Sequence, residues 1–115
     1  MQILVDTDII IDYLRSRNRV ATDFFDLFVR HDHDIILSFV TAIEIYAGAD
    51  MEKSEKRKLI EETVNNAHIL ESSHEFNLIA GLLLSKYRGD FQDSLIAAHA
   101  LLHRLPLLTR NKKDF

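Results

Sequence analysis

Gln2-Ile3-Leu4-Val5-Asp6-Thr7-Asp8-Ile9-Ile10-Ile11-Asp12-Tyr13-Leu14 decides the fold. Ile3 to Val5 is a short apolar run that ends at Asp6, and Ile9 to Leu14 then begins a segment of helical character, so the chain opens as strand, turn, helix. The alternation recurs downstream. Val20, Phe24, Leu27 and Phe28 stand at helical spacing over residues 20–30, the charged His31-Asp32-His33-Asp34 stretch closes that element, and Ile35 to Leu37 reads as a second strand. Thr41 begins a helix through Glu44, Ile45 and Ala47, with Gly48 as its terminator. Residues 52–65 place Leu59, Ile60 and Val64 at helical intervals, Ala67 to Leu70 reads as a third strand, and Phe76, Ile79, Ala80, Leu83 and Leu84 mark an amphipathic helix. A loop from Tyr87 to Gln92 leads to a strongly apolar helix over Ser94 to His103, preceded by Asp93. Pro106 to Leu108 is a fourth strand, with proline at its tolerated first position. Repeated strand-helix units predict an α/β fold, a parallel sheet covered by helices on both faces.

A chain of 115 residues, 47% hydrophobic, supports one core, so residues 1–115 are expected to form a single domain. Cysteine is absent, which excludes a disulfide framework, a thiolate zinc site and a cysteine nucleophile, and suits a reducing compartment such as the cytoplasm. No basic region or sustained apolar run follows Met1, so no secretory signal is expected. The most apolar longer stretch, Ile35 to Ala49, carries Ser38, Thr41 and Glu44, whereas a membrane helix needs roughly 20 nearly charge-free residues. The expectation is a soluble protein with no membrane partner. A net charge of −4 runs against the basic footprint of a nucleic-acid binder. Carboxylates gathered for a metal account for part of it, and Arg15, Arg17 and Arg19, with Arg104, Arg110, Lys112 and Lys113, form two local basic groups. Singly, such charges are more often solvated surface than contacts.

In open parallel sheets, ligands bind beyond the carboxyl ends of the strands, where strand order reverses. Asp6 follows the first strand, Glu44 lies a few residues past the second, and Asp93 heads the helix that leads to the fourth, after which come Thr109 and Asn111. Each acid also has an ordinary explanation. Asp93 suits the N-cap of a helix starting at Ser94, and Asp8 that of one starting at Ile9. Thr41-Ala42-Ile43-Glu44 has capping-box form. Asp6 has no capping role unless the helix starts immediately after it, which favours a functional reading for that residue.

Together these segments resemble a known family. Val5-Asp6-Thr7-Asp8, the run from Ser38 through Glu44 to Gly48, Asp93-Ser94-Leu95-Ile96-Ala97-Ala98-His99-Ala100, and Leu108-Thr109-Arg110-Asn111-Lys112-Lys113-Asp114-Phe115 are similar, in order and spacing, to the four signature segments of PIN domains, specifically the VapC group of toxin ribonucleases. The resemblance implies an α/β/α sandwich around a parallel sheet, a magnesium- or manganese-dependent endoribonuclease, and a cognate antitoxin that blocks the site. It also implies a homodimer, and a last strand beyond Asp114-Phe115 that this sheet would lack. The family's acids fall on Asp6, Glu44 and Asp93, and its fourth position on Asn111, where many members carry aspartate. A neutral amide there leaves three carboxylates, enough for one hard cation, and puts a full second metal site in question. Asp114 and Asp90 are further acids near these segments, each with a structural or surface reading beside it.

A phosphodiester is anionic and its hydrolysis builds further negative charge. A divalent cation supplies opposing charge and activates water near neutral pH, and carboxylates suit such ions. Asp6 and Asp93 are expected to bind metal directly, Glu44 directly or through water, and Asn111 to orient water or phosphate. Thr7 and Thr109 are candidates for hydrogen bonds at the rim, and Arg110, Lys112 and Arg15 for backbone phosphates. His31 and His33 lack the partners of a zinc site. His99 and His103, four apart but without the acid of a protease motif, read as helix-surface or partly buried positions. Two rival readings stand beside this one. Asp6-Thr7-Asp8 fits the start of a haloacid-dehalogenase-like phosphatase, although the later segments do not. A non-catalytic RNA- or protein-binding module that kept the fold is the other.

Overall fold

The computed structural model describes residues 1–15, 33–48 and 52–110. The helix expected over residues 20–30, Arg17, Arg19 and His31, and everything from Asn111 onward lie outside them. The described elements are β1 (Gln2–Val5), α1 (Thr7–Leu14), β2 (Asp34–Ser38), α2 (Phe39–Gly48), α3 (Ser54–Asn65), β3 (His68–Leu70), α4 (His74–Lys86), α5 (Phe91–His103) and β4 (Leu107–Leu108). All strand pairs are parallel, in the order β3-β2-β1-β4, with Ile3 opposite Ile35, Leu4 opposite Ile36 and Val5 opposite Leu108.

The apolar runs read as strands because they are buried from both sides. Ile3, Val5 and Leu37 pack with Ile9, Ile10 and Leu14 of α1, Ile45 of α2 and Ile60 of α3. Leu4 and Ile36, one residue out of phase, pack on the opposite face with Ile96 of α5 and Leu70. Phe76 and Ala80 of α4 close against Ala98 of α5, which completes the outer layer. The result is helix, sheet, helix, as expected. The chain runs outward from β1 to β2 to β3 and returns on the other side of β1 as β4, so strand order reverses at β1. A crevice at the carboxyl ends of β1 and β4 follows from that reversal.

Helix starts differ from expectation in three places. Helix α1 begins at Thr7, not Ile9, and its N-cap is Asp6 rather than Asp8. Strand β1 runs straight into the helix, so Asp6 does carry a capping role. Helix α2 begins at Phe39, with Ser38 Oγ accepting from the Val40 N–H at 3.2 Å, so Thr41 lies inside the helix and no capping box forms there. Helix α5 begins at Phe91, and Asp90 caps it by accepting from the backbone N–H groups of Gln92 and Asp93. Asp93 therefore sits in the first helical turn, released from capping. Asp90→Ala is expected to cost about 1 kcal/mol in urea unfolding, the usual loss for an aspartate cap, while Asp93→Ala leaves the cap in place.

His99, expected at the helix surface or partly buried, is 0% exposed. Its Nδ1 lies 2.9 Å from Ser38 Oγ and its Nε2 3.0 Å from the Glu71 carbonyl. A carbonyl only accepts, so Nε2 carries the proton, and Nδ1 accepts from the Ser38 hydroxyl. The ring also stacks on Phe76 at 4.1 Å. A helical spacing of four cannot reveal this, because the partners come from β2, α4 and the residue after β3.

Candidate active site

The carboxyl edge of β1 brings Asp6 together with Glu44. Asp6, 4% exposed, has one hydrogen bond on each oxygen. Oδ1 accepts from the Thr7 backbone N–H and Oδ2 from the Thr109 hydroxyl, both at 2.8 Å. The second bond joins the ends of β1 and β4 across the crevice. Burial pushes the Asp6 carboxyl above its ordinary range, and neighbouring Asp8 adds to this, against the two hydrogen bonds and the charge of Arg110.

Glu44, half-buried on α2, meets Asp6 through Thr7. The Thr7 hydroxyl donates to Glu44 Oε1 at 3.4 Å and lies 2.9 Å from the Thr41 hydroxyl, so Thr41 in turn donates to Thr7. Burial also raises the Glu44 carboxyl, with Asp6, Asp8 and Asp90 pushing in the same direction and the Thr7 hydroxyl opposing. Thr41 was not singled out as a site residue. Its spacing from Glu44 had suggested capping, and a partner 34 positions away cannot be read from that spacing.

The remaining residues divide as follows. Asp93, partly buried on the first turn of α5, lines a groove with Asp90. Arg15, exposed, shares a smaller groove with Glu44 and Ile45. Arg110 is paired at 2.6 Å with the buried Asp12 of α1, so the guanidinium expected for phosphate is held by a carboxylate that sequence reading passed over. Asn111 and Lys112 lie outside the described residues. Among the described residues no group of three acidic or histidine side chains stands close enough to hold one metal ion. The structure brings Asp6 and Glu44 together and does not add Asp93 to them. That pair still suits a hard cation. Its donors are all oxygen, the charge of Asp6 helps raise the Glu44 carboxyl, and magnesium is commonly held by one or two carboxylates with water and phosphate completing its shell.

Fold and edge together define a parallel α/β protein in which Asp6 and Glu44 meet beyond the carboxyl end of β1. A sequence model described as PIN domain matches residues 3–115, and the chain belongs to the PIN-domain family. Such domains are generally nucleases that use divalent metals. Solved structures agree with the fold. The chain is similar to one in a toxin-antitoxin complex from Klebsiella pneumoniae, with 30% identity and a TM-score of 0.80 over 98% of this chain and 89% of that one. It is also similar to a chain of VapBC-1 from nontypeable Haemophilus influenzae, at 25% identity and a TM-score of 0.79, covering 100% of this chain and 90% of that one. A chain of VapBC2 from Rickettsia felis, bound to a DNA fragment from its promoter, is 19% identical with a TM-score of 0.80 over 98% and 90%. No curated protein matches the sequence.

Proposed function

We propose that this chain, as one domain, is a metal-dependent endoribonuclease and the toxin of a toxin-antitoxin pair. The observation that carries the reading is the convergence of buried Asp6 with Glu44 through Thr7 at the carboxyl edge of the sheet. Asp6 and Glu44 hold magnesium or manganese, with Asp93 joining them from α5 and Asn111 orienting water or phosphate. When bound, the ion offsets charge building on the scissile phosphate and lowers the pKa of attacking water. Thr7 and Thr109 fix the carboxylates in place. Arg15 and Lys112 are the candidates for backbone phosphates. Arg110 joins them on leaving Asp12.

The toxin-antitoxin complexes among the structural neighbours support an antitoxin partner. Leu78 and Leu82, exposed one turn apart on α4, with Leu101 exposed on α5, support a homodimer. No helix among the described residues is long and apolar enough to cross a membrane. A cysteine-free chain that acts on cellular RNA belongs in the cytoplasm.

The test is incubation of a mixed RNA pool with the purified protein in manganese, magnesium or chelator. Internal cuts that appear with either metal and vanish with chelator are expected. Intact RNA under both metals contradicts the reading and favours a non-catalytic binding module. Manganese is also expected to raise the melting temperature of the wild type, since it relieves repulsion at the edge, and to do so far less for Glu44→Gln.

A further inference from the structure

A groove of about 900 Å³ lies between the C-terminal end of α4, the connecting segment 87–90, α5 and β4. At one end it is lined by Lys86, Tyr87 and Arg88, and beside them by Asp90, which caps α5, and by Asp93. Helix α4 ends at Lys86, and Tyr87 follows with extended backbone and a side chain 63% exposed. Neither Lys86 nor Arg88 has an ion-pair partner among the described residues. In a chain of net charge −4, two such cations flank an open aromatic ring in the groove that holds a site acid. Cations that track a backbone, with an aromatic side chain on which bases stack, are the chemistry of single-stranded nucleic-acid binding.

We propose that Lys86, Tyr87 and Arg88 form a subsite for single-stranded RNA flanking the scissile bond. Tyr87 stacks on an unpaired base, Lys86 and Arg88 hold neighbouring phosphates, and the strand passes on to Asp93. The inference rests on the nuclease reading and adds a preference to it. Every base has a stacking face, so the subsite selects unpaired strands over duplex without reading sequence. Two cations without ion-pair partners among the described residues, beside an exposed aromatic ring, favour an anionic strand as the occupant.

The measurement is fluorescence anisotropy of a labelled single-stranded RNA and of its duplex with the full chain, in chelator so that nothing is cut, across a salt series. The Lys86→Ala/Arg88→Ala double variant is expected to bind the single strand about tenfold more weakly, with the logarithmic salt slope reduced by about 1.4, or 0.7 for each phosphate lost. Tyr87→Ala is expected to lose about tenfold and Tyr87→Phe to keep wild-type affinity, because phenylalanine retains the stacking face. Wild-type affinity and slope in the double variant and in Tyr87→Ala overturn the proposal, as does an effect equal on duplex. Light scattering in which Tyr87→Ala changes only the oligomeric state, with RNA binding intact, assigns the groove to a second copy and also overturns it. Metal-dependent cutting that survives such a result leaves the nuclease reading standing. Variant-sensitive binding by a protein that never cuts upholds the subsite and removes the nuclease.

Discussion

Asp6→Asn is expected to lower RNA cleavage about a thousandfold while the melting temperature stays unchanged or rises. The loss is on the scale seen when one electrostatic group of an active site is removed, roughly 10²–10³. Stability holds for local reasons. Asparagine caps helices as well as aspartate does, its carbonyl can accept from the Thr7 N–H as Oδ1 does, and its amide can donate to the Thr109 hydroxyl. What the substitution removes is a buried charge. The folded-state pKa of Asp6 is raised by burial, so its ionised form is disfavoured in the fold. The sign for such an acid is that stability rises as pH falls through the folded pKa, and the penalty is fully present above it. Removing the charge at neutral pH therefore lifts a penalty that a bound cation otherwise offsets. Cleavage and melting, measured on one preparation, separate the roles. A collapse of both makes Asp6 mainly a cap, and retained cleavage removes it from the site.

His99→Ala is expected to cost about 3 kcal/mol, a fall in melting temperature of roughly 10–20 °C for a domain of this size. The ring is fully buried, and its loss opens a cavity beside Phe76. It also leaves the Ser38 hydroxyl and the Glu71 carbonyl short of partners. These groups tie the end of β2 to α5 and to the residue after β3, so the effect is global. The histidine brings a pH dependence of its own. Burial lowers its pKa below the ordinary value, with His103 adding to this and Glu71 opposing. A lowered folded pKa gives stability that is present above the unfolded value, about 6.5, and is lost as pH falls from there toward the folded pKa. Melting curves between pH 5 and 7.5 should slope downward toward acid in the wild type and less so in His99→Leu. Equal slopes would mean that His99 is charged in the fold.

The sheet was legible because its strands are continuous apolar runs, and burial on both faces writes directly into composition. Asp6 was legible because it interrupts such a run at its end. The caps were harder to read. Asp6 and Asp8, like Asp90 and Asp93, are pairs of aspartates two or three residues apart, and either member of each suits a cap until backbone geometry selects one. Thr41, Asp12 and His99 were misread or passed over for a common reason. Their partners, Thr7, Arg110, Ser38 and Glu71, are 28 or more positions distant, and side-chain pairing at that range leaves no periodic trace. The four signature segments carried the family, and the sequence model over residues 3–115 agrees with them.

The most direct test of the central claim is a manganese titration followed by electron paramagnetic resonance, for the wild type and for folded Asp6→Asn, Glu44→Gln and Asp93→Asn. Saturable binding by the wild type is expected, weakened at least about tenfold in each variant, as when a group serving the metal is lost. Manganese that the wild type does not bind, or that Asp6→Asn and Glu44→Gln bind with unchanged affinity, would contradict it.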